Sequence, residues 1–179
     1  EACLVGSEMC IRDRDKSLEI EGQQAFEFNE EEIKSYEEDQ ELAILNLISV
    51  DKSMFDNDQV YGFLTNYGAI LKNNYFSYQD INGNEIFRVA NALNPGTFEN
   101  DTKTFAIVAA SNLSLTDDPV DAVKQMIEFS VSFSEKFHAS ICDEERAPIT
   151  KQMISHIESR AQDIARIKQV QTSTKKEVE

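Results

Sequence analysis

"AILKNNYFSYQDINGNEIFRVANALN" (residues 69–94) decides the fold. It holds two runs rich in strand-forming residues, "AILKNNYFSYQ" (69–79) and "IFRVANALN" (86–94), joined by "DINGNE" (80–85). Asn82-Gly83 is the favoured two-residue hairpin turn, because both turn positions need a positive φ that glycine and asparagine tolerate. An antiparallel hairpin therefore sits near the centre of the chain, and Pro95-Gly96 ends it.

Other elements follow outward from the hairpin. "LAILNLISV" (42–50) is apolar and β-rich, and reads as a buried strand. Asp56 or Asn57 caps a helix carrying Val60, Phe63, Leu64 and Tyr67 at helical spacing, and Gly68 stops it. "TFAIVAAS" (104–111) is a further strand. Asp117-Asp118-Pro119 opens a second helix with an apolar stripe of Val120, Val123, Ile127, Ser130 or Val131, and Phe137. "ASIC" (139–142) is a short strand. Thr150 caps a third helix, with Met153, Ile154, Ile157, Ala161, Ile164 and Ile167 inward. The expected fold is α+β: a mostly antiparallel sheet of about six strands, three helices on one face, and the other face open.

Alternation along the strands assigns faces. Ala43, Leu45 and Leu47 oppose Leu42, Ile44 and Asn46. Phe87, Val89 and Leu93 oppose Arg88, Ala90, Ala92 and Asn94. Phe76 and Tyr78 oppose Tyr75 and Ser77, so aromatic groups stand on both sides. The bulky sets belong toward the helices. An open face bearing Leu42, Ile44, Phe76 and two alanines is a shallow apolar surface of the kind that marks an interaction site; the alternative is that a further helix covers it.

The 179 residues suit one domain plus a tail. With 33 acidic and 17 basic groups the net charge is −16, which argues against binding bare nucleic acid, where Lys and Arg must neutralise phosphates. No run of about 18 apolar residues spans a membrane, and the start lacks the pattern of a signal peptide. More than half of the negative excess precedes residue 41. Residues 15–40 read as an acidic flexible linker, with a surface helix through Ile33 and Tyr36 as the alternative. Residues 4–13, "LVGSEMCIRD", back-translate to a string resembling a transposon-end sequencing adapter. Residues 1–14 are therefore expected to be a read-through artefact, with the true start of the gene missing. Residues 171–179 read as a frayed tail.

Excluding the artefact leaves one thiol, Cys142, which supports neither a disulfide framework nor a zinc site and fits a reducing cytoplasm. His138, Cys142 and His156 lack a third ligand at useful spacing, so no metal is expected. "DINGNE" does not close a calcium loop. "DEER" (143–146) reads as a solvated turn rather than an acid–base pair. No glycine-rich phosphate cradle, catalytic group or cofactor site is evident.

"FRVANALNPGTF" (87–98) resembles "FSLANMVKPGTF" of the ZipA cell-division family, and "CDEERAPIT" (142–150) resembles that family's segment before its last helix. The similarity covers about residues 41–168. It implies a non-enzymatic adaptor with no cofactor, whose open sheet face binds the carboxy-terminal peptide of FtsZ. Such a domain links the division ring to the inner membrane, from its cytoplasmic side, through an anchor absent from this chain. The domain is expected to be monomeric. The resemblance carries groove positions onto Leu42, Ile44, Asn74, Phe76, Ala90, Ala92, Asn94 and Val108, with Ala110 as a rival to Val108. Asn74 and Ala92 stand where the family often has methionine, which implies a shallower, less apolar groove. The rival class is an α+β small-molecule-binding or enzymatic domain with a lidded face.

Overall fold

The computed structural model describes residues 40–93, 96–99 and 103–177. The expected artefact over 1–14 and nearly all of the expected linker lie outside them. The order is β1 (Leu42–Ser49), α1 (Asn57–Tyr67), β2 (Ile70–Lys72), β3 (Tyr75–Gln79), β4 (Glu85–Asn91), β5 (Ala106–Asn112), α2 (Pro119–Phe137), β6 (Ala139–Cys142) and α3 (Lys151–Glu177). The strands form one antiparallel sheet in the order β2-β3-β4-β5-β1-β6. The α+β architecture expected from the sequence is the one observed.

Helix ends follow local chemistry. The Asp56 carboxylate accepts from the Gln59 N–H, and Gly68 closes α1 at φ 106°, in the left-handed region. Asp118 caps α2 ahead of Pro119, whose missing N–H is one of the helix's unpaired donors in any case. His138 ends α2 in the left-handed region at φ 51°. Thr150 Oγ1 accepts from the Met153 N–H at the start of α3. This helix continues to Glu177, so residues 171–177 extend it where the sequence analysis expects a frayed tail.

Two turns differ from expectation. Residues 69–79 are not one strand: Asn73 and Asn74, at φ 46° and 65°, form a two-residue turn dividing β2 from β3. Two consecutive positive φ values match the twist of a tight hairpin, and asparagine tolerates them better than most residues. In the central hairpin the Gly83 N–H donates to the Asp80 carbonyl at 3.1 Å, with Gly83 at φ 86°. Ile81 and Asn82 therefore occupy the turn centre, making a three-residue loop. A bulge between Tyr78 and Gln79 then shifts the register by one, so that Phe76 pairs with Val89.

One face of the sheet carries the core. Ala43, Leu45, Leu47, Phe76, Tyr78, Phe87, Val89, Ile107 and Ala109 pack with Val60 and Leu64 of α1, Phe129 and Phe133 of α2, and Ala161 of α3. The Tyr78 and Phe87 rings stack at 4.4 Å between centroids. Arg160 on α3 pairs with Glu41 at the mouth of β1. No described helix is long and apolar enough to cross a membrane.

Candidate functional site

The other face is built from the alternate residues of the same strands. Strand pairing sets Arg88 opposite Ala110 and Ala110 opposite Ile44; one step along, Ala90 faces Val108 and Val108 faces Asn46. Asn46 faces Cys142, and Ile48 stands between Ala106 and Ser140. Directly opposed residues in an antiparallel pair share a face, so all of these point away from the helices.

The centre of this face consists of small residues. Ala90, Val108 and Ala110 are each 2% exposed, yet none belongs to the core cluster. Leu42, Ile44, Ile48, Tyr75 and Arg88 around them are half-buried. Small side chains ringed by larger ones give this face an alanine–valine floor. Its chemistry is apolar contact; the polar groups are already engaged. The Asn46 side-chain amide donates to the Asp143 carbonyl at 2.8 Å, bracing the turn after β6. That turn is the "DEER" segment, where the Asp143 carboxylate accepts from the Ala147 N–H at 2.9 Å.

Of the residues assigned to the groove, Leu42, Ile44, Ala90 and Val108 lie on this face, and Ala110, the rival to Val108, lies beside it. Ala92 follows the end of β4, its N–H donating to the Ala106 carbonyl at 3.0 Å. Asn94 lies outside the described residues. Asn74 sits in the β2–β3 turn rather than on a strand, and its carbonyl accepts from the Phe98 N–H at 2.7 Å.

Phe76 requires a correction. It is 2% exposed and faces the helices, edge-on to Tyr61 of α1 at 5.5 Å and to Phe98 at 5.5 Å. The physical reason is register: Phe76 lies opposite Val89, and Val89 is in the core. Neighbouring side chains on a strand point to opposite faces, so the open-face residues of β3 are Tyr75 and Ser77.

Sequence reasoning therefore missed Tyr75 as the aromatic of this face, and Lys72, paired opposite Tyr75 on β2. A signal was available. Counting back from a two-residue turn at Asn82-Gly83 already sets Phe76 opposite Val89, and the loop's extra residue is cancelled by the bulge.

Tyr75, Ser77, Glu85 and Arg88 form a joined polar corner. The Arg88 guanidinium carbon lies 4.6 Å from the Tyr75 ring centroid. Arg88 Nε donates to Glu85 Oε1 at 2.6 Å, and the Ser77 hydroxyl donates to Glu85 Oε2 at 2.6 Å.

Elsewhere, a cavity of about 470 Å³ opens between β1 and the start of α3, lined by Ile44, Glu144, Met153, His156 and Arg160 among others. His138 serves as a helix cap, Cys142 is buried beside Asn46, and His156 lies on α3. Among the described residues no three His, Cys, Asp or Glu side chains gather as metal ligands do.

Residues 41–160 match the family model described as "ZipA, C-terminal FtsZ-binding domain". The chain is similar to the cell division protein ZipA of Colwellia psychrerythraea (strain 34H / ATCC BAA-681), with 31% identity over 88 residues. That alignment covers 47% of this chain and 23% of the relative, so the chain matches only a part of that protein. The matched interval opens one residue before β1 and takes in every strand, α1, α2 and the first part of α3. This chain belongs to the family of ZipA carboxy-terminal domains.

Proposed function

We propose that this domain is a cell-division adaptor that binds the carboxy-terminal peptide of FtsZ in the trough of Ala90, Val108 and Ala110. The observation carrying this reading is the asymmetry of the sheet: the described helices and the aromatic core occupy one face, in a chain whose family is defined by FtsZ binding. The family is one of cell-division adaptors rather than enzymes.

The mechanism is burial of a peptide's apolar side chains against a preformed sheet surface, related to helix-in-groove recognition. Apolar contact contributes roughly 25 cal/mol per Å² buried, less the cost of ordering a flexible peptide. A floor of alanine and valine admits bulky partner groups but gives each less area than long side chains would, so affinity is modest. The role extends to tethering the division ring to the inner membrane from its cytoplasmic side.

The test is titration of the domain with the carboxy-terminal peptide of FtsZ from the same organism. Saturable one-to-one binding is expected. Leu42→Asp weakens it more than about tenfold, because a carboxylate in an apolar contact must be desolvated, while circular dichroism stays unchanged. Absence of binding by the wild-type domain at high micromolar peptide would sink the reading.

A further inference from the structure

We infer that the corner of the trough where β2, β3 and β4 meet reads a carboxylate on the bound peptide, and so fixes which way the peptide lies. This rests on the peptide-binding reading above.

The corner is assembled by register. Lys72 stands opposite Tyr75, and Arg88 opposite Ser77. Continuing that register sets Tyr75 alongside Ala90, at the edge of the apolar floor. Arg88 is held in place on two sides, by the Tyr75 ring below it and by Glu85 beside it. The Ser77 hydroxyl holds the second oxygen of Glu85, so the carboxylate that positions Arg88 is itself positioned. A planar guanidinium oriented before the ligand arrives loses less freedom on binding than a mobile side chain does.

The corner gathers basic groups in a chain of net charge −16. Arg88 is paired with Glu85, and Lys72 adds a second basic side chain opposite Tyr75. The apolar residues of the face, Leu42, Ile44, Ile48, Ala90, Val108 and Ala110, lie to the other side of this corner. Screening decides which field a bound peptide meets. Exposed charges are damped over about 8 Å at physiological ionic strength, so a group touching Tyr75 responds to Lys72 and Arg88 more than to distant acids. The matching ligand is an amphipathic peptide with apolar groups on the floor and an Asp or Glu at the β2–β3 end. Its basic residues then project away, toward the acidic remainder of the domain.

The experiment uses the FtsZ peptide and the same peptide with its Asp and Glu residues changed to Asn and Gln. Wild-type protein is expected to prefer the acidic form by roughly fivefold, a size typical of partly exposed charge contacts. That preference should shrink between about 50 and about 500 mM salt. Lys72→Glu alters an exposed edge position, and should abolish or reverse the preference without loss of fold. Arg88→Gln should halve it or more. If wild type binds both peptides equally, or if the preference survives Lys72→Glu together with Arg88→Gln, the corner does not read a carboxylate although the trough still binds. If neither peptide titrates wild-type protein, the peptide-binding reading fails and takes the corner with it.

Discussion

Phe76 and Tyr75 are neighbours in one strand and belong to different worlds. Phe76 points into a dense aromatic core, touching Tyr61 and Phe98. Tyr75 points the other way, beneath Arg88 at the edge of a trough floored by alanine and valine. The same backbone thus supports a face that holds the domain together and a face that spends little on stability. A sheet can do this because side chains alternate with period two, so each strand can meet two sets of demands. The difference teaches where substitutions can be expected to separate folding from binding.

The sharpest test of that contrast is Phe76→Ala against Tyr75→Ala. Removing a buried phenyl ring is expected to cost about 3–5 kcal/mol of unfolding free energy, measured by urea denaturation. Tyr75→Ala should cost less than about 1 kcal/mol of stability yet reduce peptide affinity several-fold. Equal stability losses at the two positions would erase the distinction between the faces.

Tyr78 probes the core face alone. Among the described residues its hydroxyl is buried without a hydrogen-bond partner, and burial pushes its pKa well above the ordinary tyrosine value. An unpaired buried hydroxyl carries an uncompensated desolvation cost. Tyr78→Phe keeps the stacking on Phe87 and should raise stability by about 1 kcal/mol. A clear loss of stability would mean that the hydroxyl has a partner.

Ala92→Met probes the proposed binding face. A longer, adaptable side chain two residues past Ala90, just beyond the end of β4, is expected to add apolar contact area. Peptide affinity should tighten by roughly threefold, about 0.6 kcal/mol, with no change in the urea midpoint. Weaker binding would show that Ala92 leaves space the peptide needs.

The smallest effect lies at the hairpin tip. The Asp80 carboxylate accepts from the backbone N–H of Asn84 and of Asn82, which holds its pKa below the ordinary 3.8. A carboxylate with a depressed folded pKa stabilises the fold above its unfolded pKa, and that contribution is lost as pH falls through the folded value. Asp51 behaves in the same direction, chiefly through the Ser53 and Ser49 hydroxyls. Stability should therefore decline as pH falls below about 4. Asp80→Asn should flatten that acid limb slightly while leaving peptide binding at neutral pH unchanged. An unaltered acid limb would remove Asp80 from the account.

Residue order by itself determined much of this protein. The caps at Asp56, Asp118 and Thr150, the stop at Gly68, and the alternation in β1 and β4 are local features, and local chemistry settles them. So is the family resemblance carried by residues 87–98 and 142–150. Alternation divides a strand into two sets of side chains but does not say which set meets the helices. In β4 one set is bulky and the other smaller, so size breaks the tie; in β1 Leu42 and Ile44 match Leu45 and Leu47 in bulk, and pairing with β5 decides. In β3 aromatic residues stand in both sets, and size cannot choose. The choice came from pairing: Phe76 follows Val89, and Val89 follows the sheet onto the helices. The turn at Asn73-Asn74 and the bulge at Gln79 likewise emerge from how neighbouring strands hydrogen-bond. The corner of Lys72, Tyr75, Ser77, Glu85 and Arg88 is drawn from three strands. Only the folded sheet brings it together, because contact between strands depends on register and not on sequence distance.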